Sequence, residues 1–135
     1  MWPKEIIPDE SAVFMRIHKV YLNRRSDVPP NAFRDHNGAM SVDWDKYSTP
    51  SQTRARARNP ADNAVIGMRV EAIRLIDGLS VEHDPTEEGT LDRQRRPLAA
   101  NRAHSNVLGE KQTEQRVKLS RIWQWAIRLT DPVGW

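Results

Sequence analysis

Residues 12–22 (AVFMRIHKVYL) contain branched and aromatic side chains and no glycine or proline. A period of two sends Val13, Met15 and Ile17 to one side and Phe14, Arg16, His18 and Val20 to the other, which predicts a strand of a half-buried sheet. By the same reasoning residues 39–44 (AMSVDW), 64–70 (AVIGMRV), 79–83 (LSVEH) and 103–109 (AHSNVLG) read as further strands. Ser48-Thr49-Pro50 places a capping hydroxyl ahead of a proline suited to a first helical turn, so a short helix is expected over 50–58, stopped by Asn59-Pro60. Residues 70–77 (VEAIRLID) fit one amphipathic helix ended by Gly78, although so short an apolar run suits a strand nearly as well. Val117, Leu119, Ser120, Ile122, Trp123, Ala126, Ile127 and Thr130 recur at three- and four-residue spacing, predicting one long helix over 110–130 that ends at Asp131-Pro132.

The punctuation between these segments sets the architecture. Pro29 and Pro30 make 23–31 a loop, and 84–100, polar with two prolines, is the longest connection and the expected mobile one. The pattern predicts an α+β domain: a mainly antiparallel sheet of four to five strands with a long C-terminal helix packed on one face. The domain would occupy residues 12–130, between an N-terminal arm (1–11) and a C-terminal tail (131–135).

Composition narrows the function classes. The 135 residues suffice for one modest domain, and the absence of cysteine removes disulfides, thiolate nucleophiles and iron-sulfur clusters. No Walker loop or dinucleotide fingerprint occurs, and no apolar run approaches the roughly 18 residues that crossing a bilayer needs. The start, Met1-Trp2-Pro3-Lys4-Glu5, lacks a signal peptide's apolar core, so a cytoplasmic location is expected. Net charge is only +3, but it is segregated: 77–91 carries five acids and no base, while 92–135 carries a net +5. Folding either builds a basic face from this or cancels it.

Candidate chemistry centres on four histidines, His18, His36, His83 and His104. None shows metal-ligand spacing, and neither a metal nor a cofactor is expected. His104 lies in Asn101-Arg102-Ala103-His104-Ser105-Asn106, where Arg102, His104 and Ser105 could bind a phosphate or carboxylate, or simply cap loops. His83 and Asp84 are the other catalytic candidates, with His83 and His104 as an acid and base if they converge. Asp43 and Asp45 flank Trp44. Ser41 and Ser105 sit in no glycine-flanked elbow, which argues against serine hydrolase chemistry. Arg54, Arg56 and Arg58, with Arg93, Arg95 and Arg96 and with Arg116, Lys118 and Arg121, could form a surface for nucleic-acid phosphates. Five tryptophans exceed what a small core needs. On a helix Trp123 and Trp125 would point about 200° apart. Either one is an exposed partner-binding anchor together with Trp2 and Trp135, or the terminal arms bury Trp125.

The segments Asn31-Ala32-Phe33 with Met40-Ser41-Val42-Asp43-Trp44, then Gly78-Leu79-Ser80-Val81-Glu82-His83-Asp84-Pro85 and Asn101-Arg102-Ala103-His104-Ser105, resemble those of a group of short, uncharacterised bacterial proteins. The resemblance spans about residues 12–128 and implies a bacterial origin and a compact α+β domain, with no activity attached. With surplus aromatic and arginine residues and no convergent catalytic set, the first expectation is a non-catalytic binding or accessory subunit of a bacterial multi-protein assembly. Its partner would be another protein, with nucleic acid a further potential contact and no membrane. The alternatives are a small phosphoester hydrolase using His104 and His83, and a sequence-indifferent nucleic-acid-binding protein.

Overall fold

The computed structural model describes residues 1–22, 27–35 and 37–134. His36, Trp135 and the arginines of the 23–31 loop lie outside them. Six strands form one antiparallel sheet, β1 (Ala12–His18), β2 (Ala39–Trp44), β3 (Asn63–Arg69), β4 (Ser80–His83), β5 (His104–Leu108) and β6 (Trp123–Ile127), in the order β4-β5-β2-β1-β3-β6. Three short helices accompany it: α1 (Pro50–Ala55), α2 (Val70–Arg74) and α3 (Thr113–Leu119). The α+β class and antiparallel sheet agree with the sequence pattern; the strand count and the C-terminal helix do not. Among the described residues no helix is long and apolar enough to cross a membrane.

The expected helix over 110–130 is a helix of two turns followed by the sixth strand. Ser120 turns its hydroxyl back onto the Val117 carbonyl at 2.6 Å, and the Trp123 indole N–H takes the Ser120 carbonyl at 2.8 Å, so the chain leaves the helix there. Residues 123–127 (WQWAI) then pair with β3, which would otherwise end the sheet with a long open edge. Period two puts Trp123 and Trp125 side by side as an edge-to-face pair with centroids 4.9 Å apart, both half-buried against the core.

Alternation divides the sheet into two faces. Val13, Met15 and Ile17 of β1, Met40, Val42 and Trp44 of β2, Ile66 and Met68 of β3 and Val107 of β5 are buried on one. That face is covered by Phe33 and Val28, by Ile73 of α2 and Ile76 beyond it, and by Leu119 of α3, not by a long C-terminal helix. The opposite face carries Phe14, Arg16, Ser41, Asp43, Gly67 and His104, and α1 packs mainly over its β1, β3 and β6 side, reaching β2 through Thr53. Thr49 and Gln52 close a reciprocal capping box at the start of α1, as the Ser-Thr-Pro signal predicts for this end. The helix stops at Ala55, three residues short of the expected end.

Gly109, after β5, shows how tightly the β4 side is closed. Its φ is +111°, and a Cβ there would run into the Gly78 carbonyl oxygen. Beside it the buried Lys111 ammonium donates to the carbonyls of Val107, Gly109 and Gly38, and burial lowers its proton affinity against the opposing pull of Asp35. Gly109→Ala is expected to cost about 2 to 3 kcal/mol, combining a disfavoured φ with a backbone shift. A urea unfolding curve within about 0.5 kcal/mol of the parent would show that this turn is not constrained.

Candidate active site

A cleft of about 690 Å³ opens on the partly uncovered face, between the sheet and the long connection after β4. Its floor is Phe14 and Arg16 of β1, Ser41 and Asp43 of β2 and His104 of β5; its outer wall includes Thr86, Leu98 and Asn101. The connection keeps its shape through two isolated bridges, Thr86 with Asn101 and Leu91 with Pro97. The cleft lies where the central strands part: β1 pairs with β3 over seven residues but with β2 only at Val13↔Trp44 and Phe14↔Asp43.

Strand pairing assembles the reactive groups. Asp43 sits opposite His104 in the β2–β5 ladder, and Ser41, two residues along, shares that face. The His104 Nε2 is 3.2 Å from the Ser41 hydroxyl, and its Nδ1 is 2.7 Å from the Asp84 carbonyl. A carbonyl only accepts, so Nδ1 carries the hydrogen and Nε2 presents its lone pair to Ser41. The main-chain N–H of Asp84 also donates to the His104 carbonyl at 2.9 Å, so residue 84 fixes the imidazole from backbone and ring alike. This is the arrangement of a hydroxyl nucleophile, a base and an orienting group.

Charge around the pair is divided. Buried Asp43 accepts from Asn101 (2.8 Å) through one oxygen and from Thr53 (2.8 Å) and Arg56 (2.7 Å) through the other. Arg16 gives one N–H to the Thr53 carbonyl at 3.0 Å, and its remaining guanidinium donors meet no acceptor among the described residues. Burial of that head lowers the proton affinity of Arg16, Asp43 opposes this and Arg56 adds to it, although the residue as a whole keeps substantial exposure. On the wall side, Asp84 is engaged by Lys4 (3.6 Å) and Asn106 (3.1 Å), and Glu87 by the Trp2 N–H (2.7 Å). Asp84 and Glu87 line the cleft while also meeting the N-terminal arm, Asp92 pairs with Arg96 farther along the connection, and the sheet side presents Arg16 to the cleft.

No family model, curated protein or solved structure matches the chain.

The other candidates from the sequence are placed elsewhere. His83 pairs with Ser105 across β4 and β5, so it shares the core face and lies on the opposite side of the sheet from His104. Its Nδ1 accepts the Glu5 N–H at 3.0 Å and its Nε2 meets the Arg102 carbonyl at 2.6 Å, which leaves neither nitrogen for proton transfer. Ser105 is fully buried and donates to the Ala103 carbonyl. The Arg102 guanidinium stacks on Tyr47, 4.2 Å from the ring centroid, outside the cleft. Arg102, His104 and Ser105 therefore form no common pocket. His18 is exposed and caps Val20. Among the described residues no three His, Asp or Glu side chains could hold a metal ion.

The arginine and tryptophan sets divide as well. Arg54 is 2% exposed and bonds only backbone carbonyls, and Arg56 is committed to Asp43. Arg58 is exposed, as are Arg93, Arg95 and Arg96 on the connection, with Arg96 paired to Asp92. Lys118 pairs with Glu114. Trp44 is buried, Trp123 and Trp125 are half-buried against the core, and Trp2 on the arm is half-buried; Trp135 lies outside the described residues.

The arm that touches the cleft wall is pinned by Glu5, whose carboxylate accepts from Lys46 (2.7 Å) and from the Tyr47 hydroxyl. These bonds, Lys46 first, hold the Glu5 carboxyl below its ordinary range, and the same contact raises Lys46. A carboxyl lowered on folding stabilises the folded arm above its unfolded value of 4.5, and the contribution is lost as pH falls through the lower folded value. Acidification through that window is expected to lower the protection factors of the Trp2 and Glu5 amides, and Glu5→Gln to show low protection at neutral pH already. Equal protection of parent and variant at neutral pH would contradict the pin.

Proposed function

We propose that the protein hydrolyses a small phosphoester in the open-face cleft, with Ser41 as nucleophile and His104 as base. The observation that carries this reading is the Ser41 hydroxyl facing the free lone pair of His104, whose other nitrogen is anchored on Asp84. His104 takes the Ser41 proton as the oxygen forms a bond to phosphorus. The bond from phosphorus to the leaving oxygen breaks, and His104 returns the proton to the departing alcohol. Water, deprotonated by the same nitrogen, then bonds to phosphorus, the bond from phosphorus to the Ser41 oxygen breaks, and His104 returns the proton to that oxygen, releasing phosphate and restoring Ser41. Arg16 is suited to the phosphoryl oxygens, since its unengaged donors face the cleft and Asp43 is already balanced by Arg56.

The accessory-subunit reading needs indoles and guanidiniums left over after the core is filled; with Arg54 internal and Trp44, Trp123 and Trp125 in or against the core, it has less support. The hydrolase reading is tested with 4-nitrophenyl phosphate beside 4-nitrophenyl acetate, and with inorganic phosphate followed by amide shifts. Turnover of the phosphate ester and shifts centred on Arg16 and Ser41 are expected. No turnover of the phosphate ester and no phosphate-induced shifts would overturn it, and turnover of the acetate alone would move the chemistry to carboxylic esters.

A further inference from the structure

The polar cleft has an apolar neighbour. A second hollow, of about 450 Å³, lies along β1, β3 and β6; Phe14, Gly67, Gln124 and Ala126 line it from the open face, and Met68, Ile122 and Trp125, which pack toward the core, border it. Phe14 belongs to both hollows and so forms the wall between them. Gly67 is its cross-strand partner in the β1–β3 ladder, and Gln124 lies beyond Gly67 on β6. A Cβ at Gly67 would touch nothing but the Phe14 ring, at 3.7 Å, so the missing side chain leaves the space open. The φ of Gly67 is not in the left-handed region, and the backbone does not require glycine there.

We propose that the phosphoester taken by this site carries an apolar leaving group, which lies over Gly67 against Phe14 while the phosphoryl group lies at Arg16 and Ser41. This rests on the hydrolase reading and specifies its substrate class. Phe14 and Arg16 are two residues apart on one face of β1, a separation of about 7 Å. A chain of about five or six carbons attached to phosphorus reaches from one hollow into the other. Each methylene buried there should tighten binding by about two- to fourfold.

The test uses alkylphosphonates, whose carbon–phosphorus bond Ser41 does not cleave. Affinities of inorganic phosphate, methylphosphonate and hexylphosphonate are measured by calorimetry on the full chain and on Gly67→Leu, Gly67→Ala and Ala126→Leu. Hexylphosphonate is expected to bind the parent at least about 30-fold tighter than methylphosphonate. Gly67→Leu should remove that advantage while leaving methylphosphonate affinity unchanged, and Gly67→Ala should keep most of it. Ala126→Leu fills the hollow from β6 and gives the same answer if Gly67→Leu does not fold. Equal affinities of the two phosphonates for the parent overturn this inference alone. An advantage that survives both leucine variants overturns the location. Failure of phosphate and both phosphonates to bind overturns the hydrolase reading itself.

Discussion

Arg54→Met is expected to destabilise the protein by about 3 to 5 kcal/mol, the largest stability effect among these predictions. The Arg54 guanidinium is a buried clamp. Its Nε donates to the carbonyls of Pro60 (3.0 Å) and Asn63 (2.9 Å), Nη1 to Asp131 (2.8 Å) and Pro132 (3.2 Å), and Nη2 to Leu129 (3.3 Å). Among the described residues no carboxylate pairs with it, and carbonyl dipoles converge on it from the chain entering β3 and from the chain after β6. Methionine keeps the volume but leaves these oxygens without their donor. Arg54→Lys should recover only part of the loss, since a single ammonium lacks the planar reach to both segments. Urea unfolding with an unchanged slope gives the number, and amide exchange after β6 should rise in both variants. A loss below about 1 kcal/mol would show that the clamp does not hold the C-terminal segment.

The largest effect on activity is expected at the hydroxyl–imidazole pair. Ser41→Ala and His104→Ala should each lower kcat for 4-nitrophenyl phosphate by about 10³-fold with the fold unchanged, because neither side chain is part of the core. The two groups act in one step, so the double variant should be no worse than the more severe single one. Arg16→Ala should raise KM as well as lower kcat, since its donors are assigned to the phosphoryl oxygens in the bound and the reacting states. A double variant whose loss is the product of the single losses would mean that Ser41 and His104 work independently.

How far these features could be read from the sequence depended on whether they are local. β1 and β2 declare themselves through alternation, and Thr49-Pro50 through capping chemistry, because such signals are complete within a few residues. Residues 123–127 (WQWAI) fit a helical stripe and a strand equally well; the open edge of β3, 55 or more residues away, decides for the strand. Arg54 reads as a solvent-facing base because its carbonyl partners at 129–132 lie 75 to 78 residues on. The site shows the same limit. Alternation puts Ser41 with Asp43, and His104 opposite in sense to Ser105, but Ser41 and His104 are 63 residues apart, and only the β2–β5 pairing joins them. Set aside for want of a glycine elbow, Ser41 is brought to His104 by that pairing. His83, equally prominent in the sequence, is carried to the other face by the register of β4.

The most direct test is to quench the protein with acid during incubation with 4-nitrophenyl phosphate and to map phosphoryl groups on its peptides by mass spectrometry. A phosphoryl ester on Ser41, absent from Ser41→Ala together with the turnover, is the predicted result. Turnover that persists undiminished in Ser41→Ala, with no phosphoryl group on Ser41 of the parent, would contradict it.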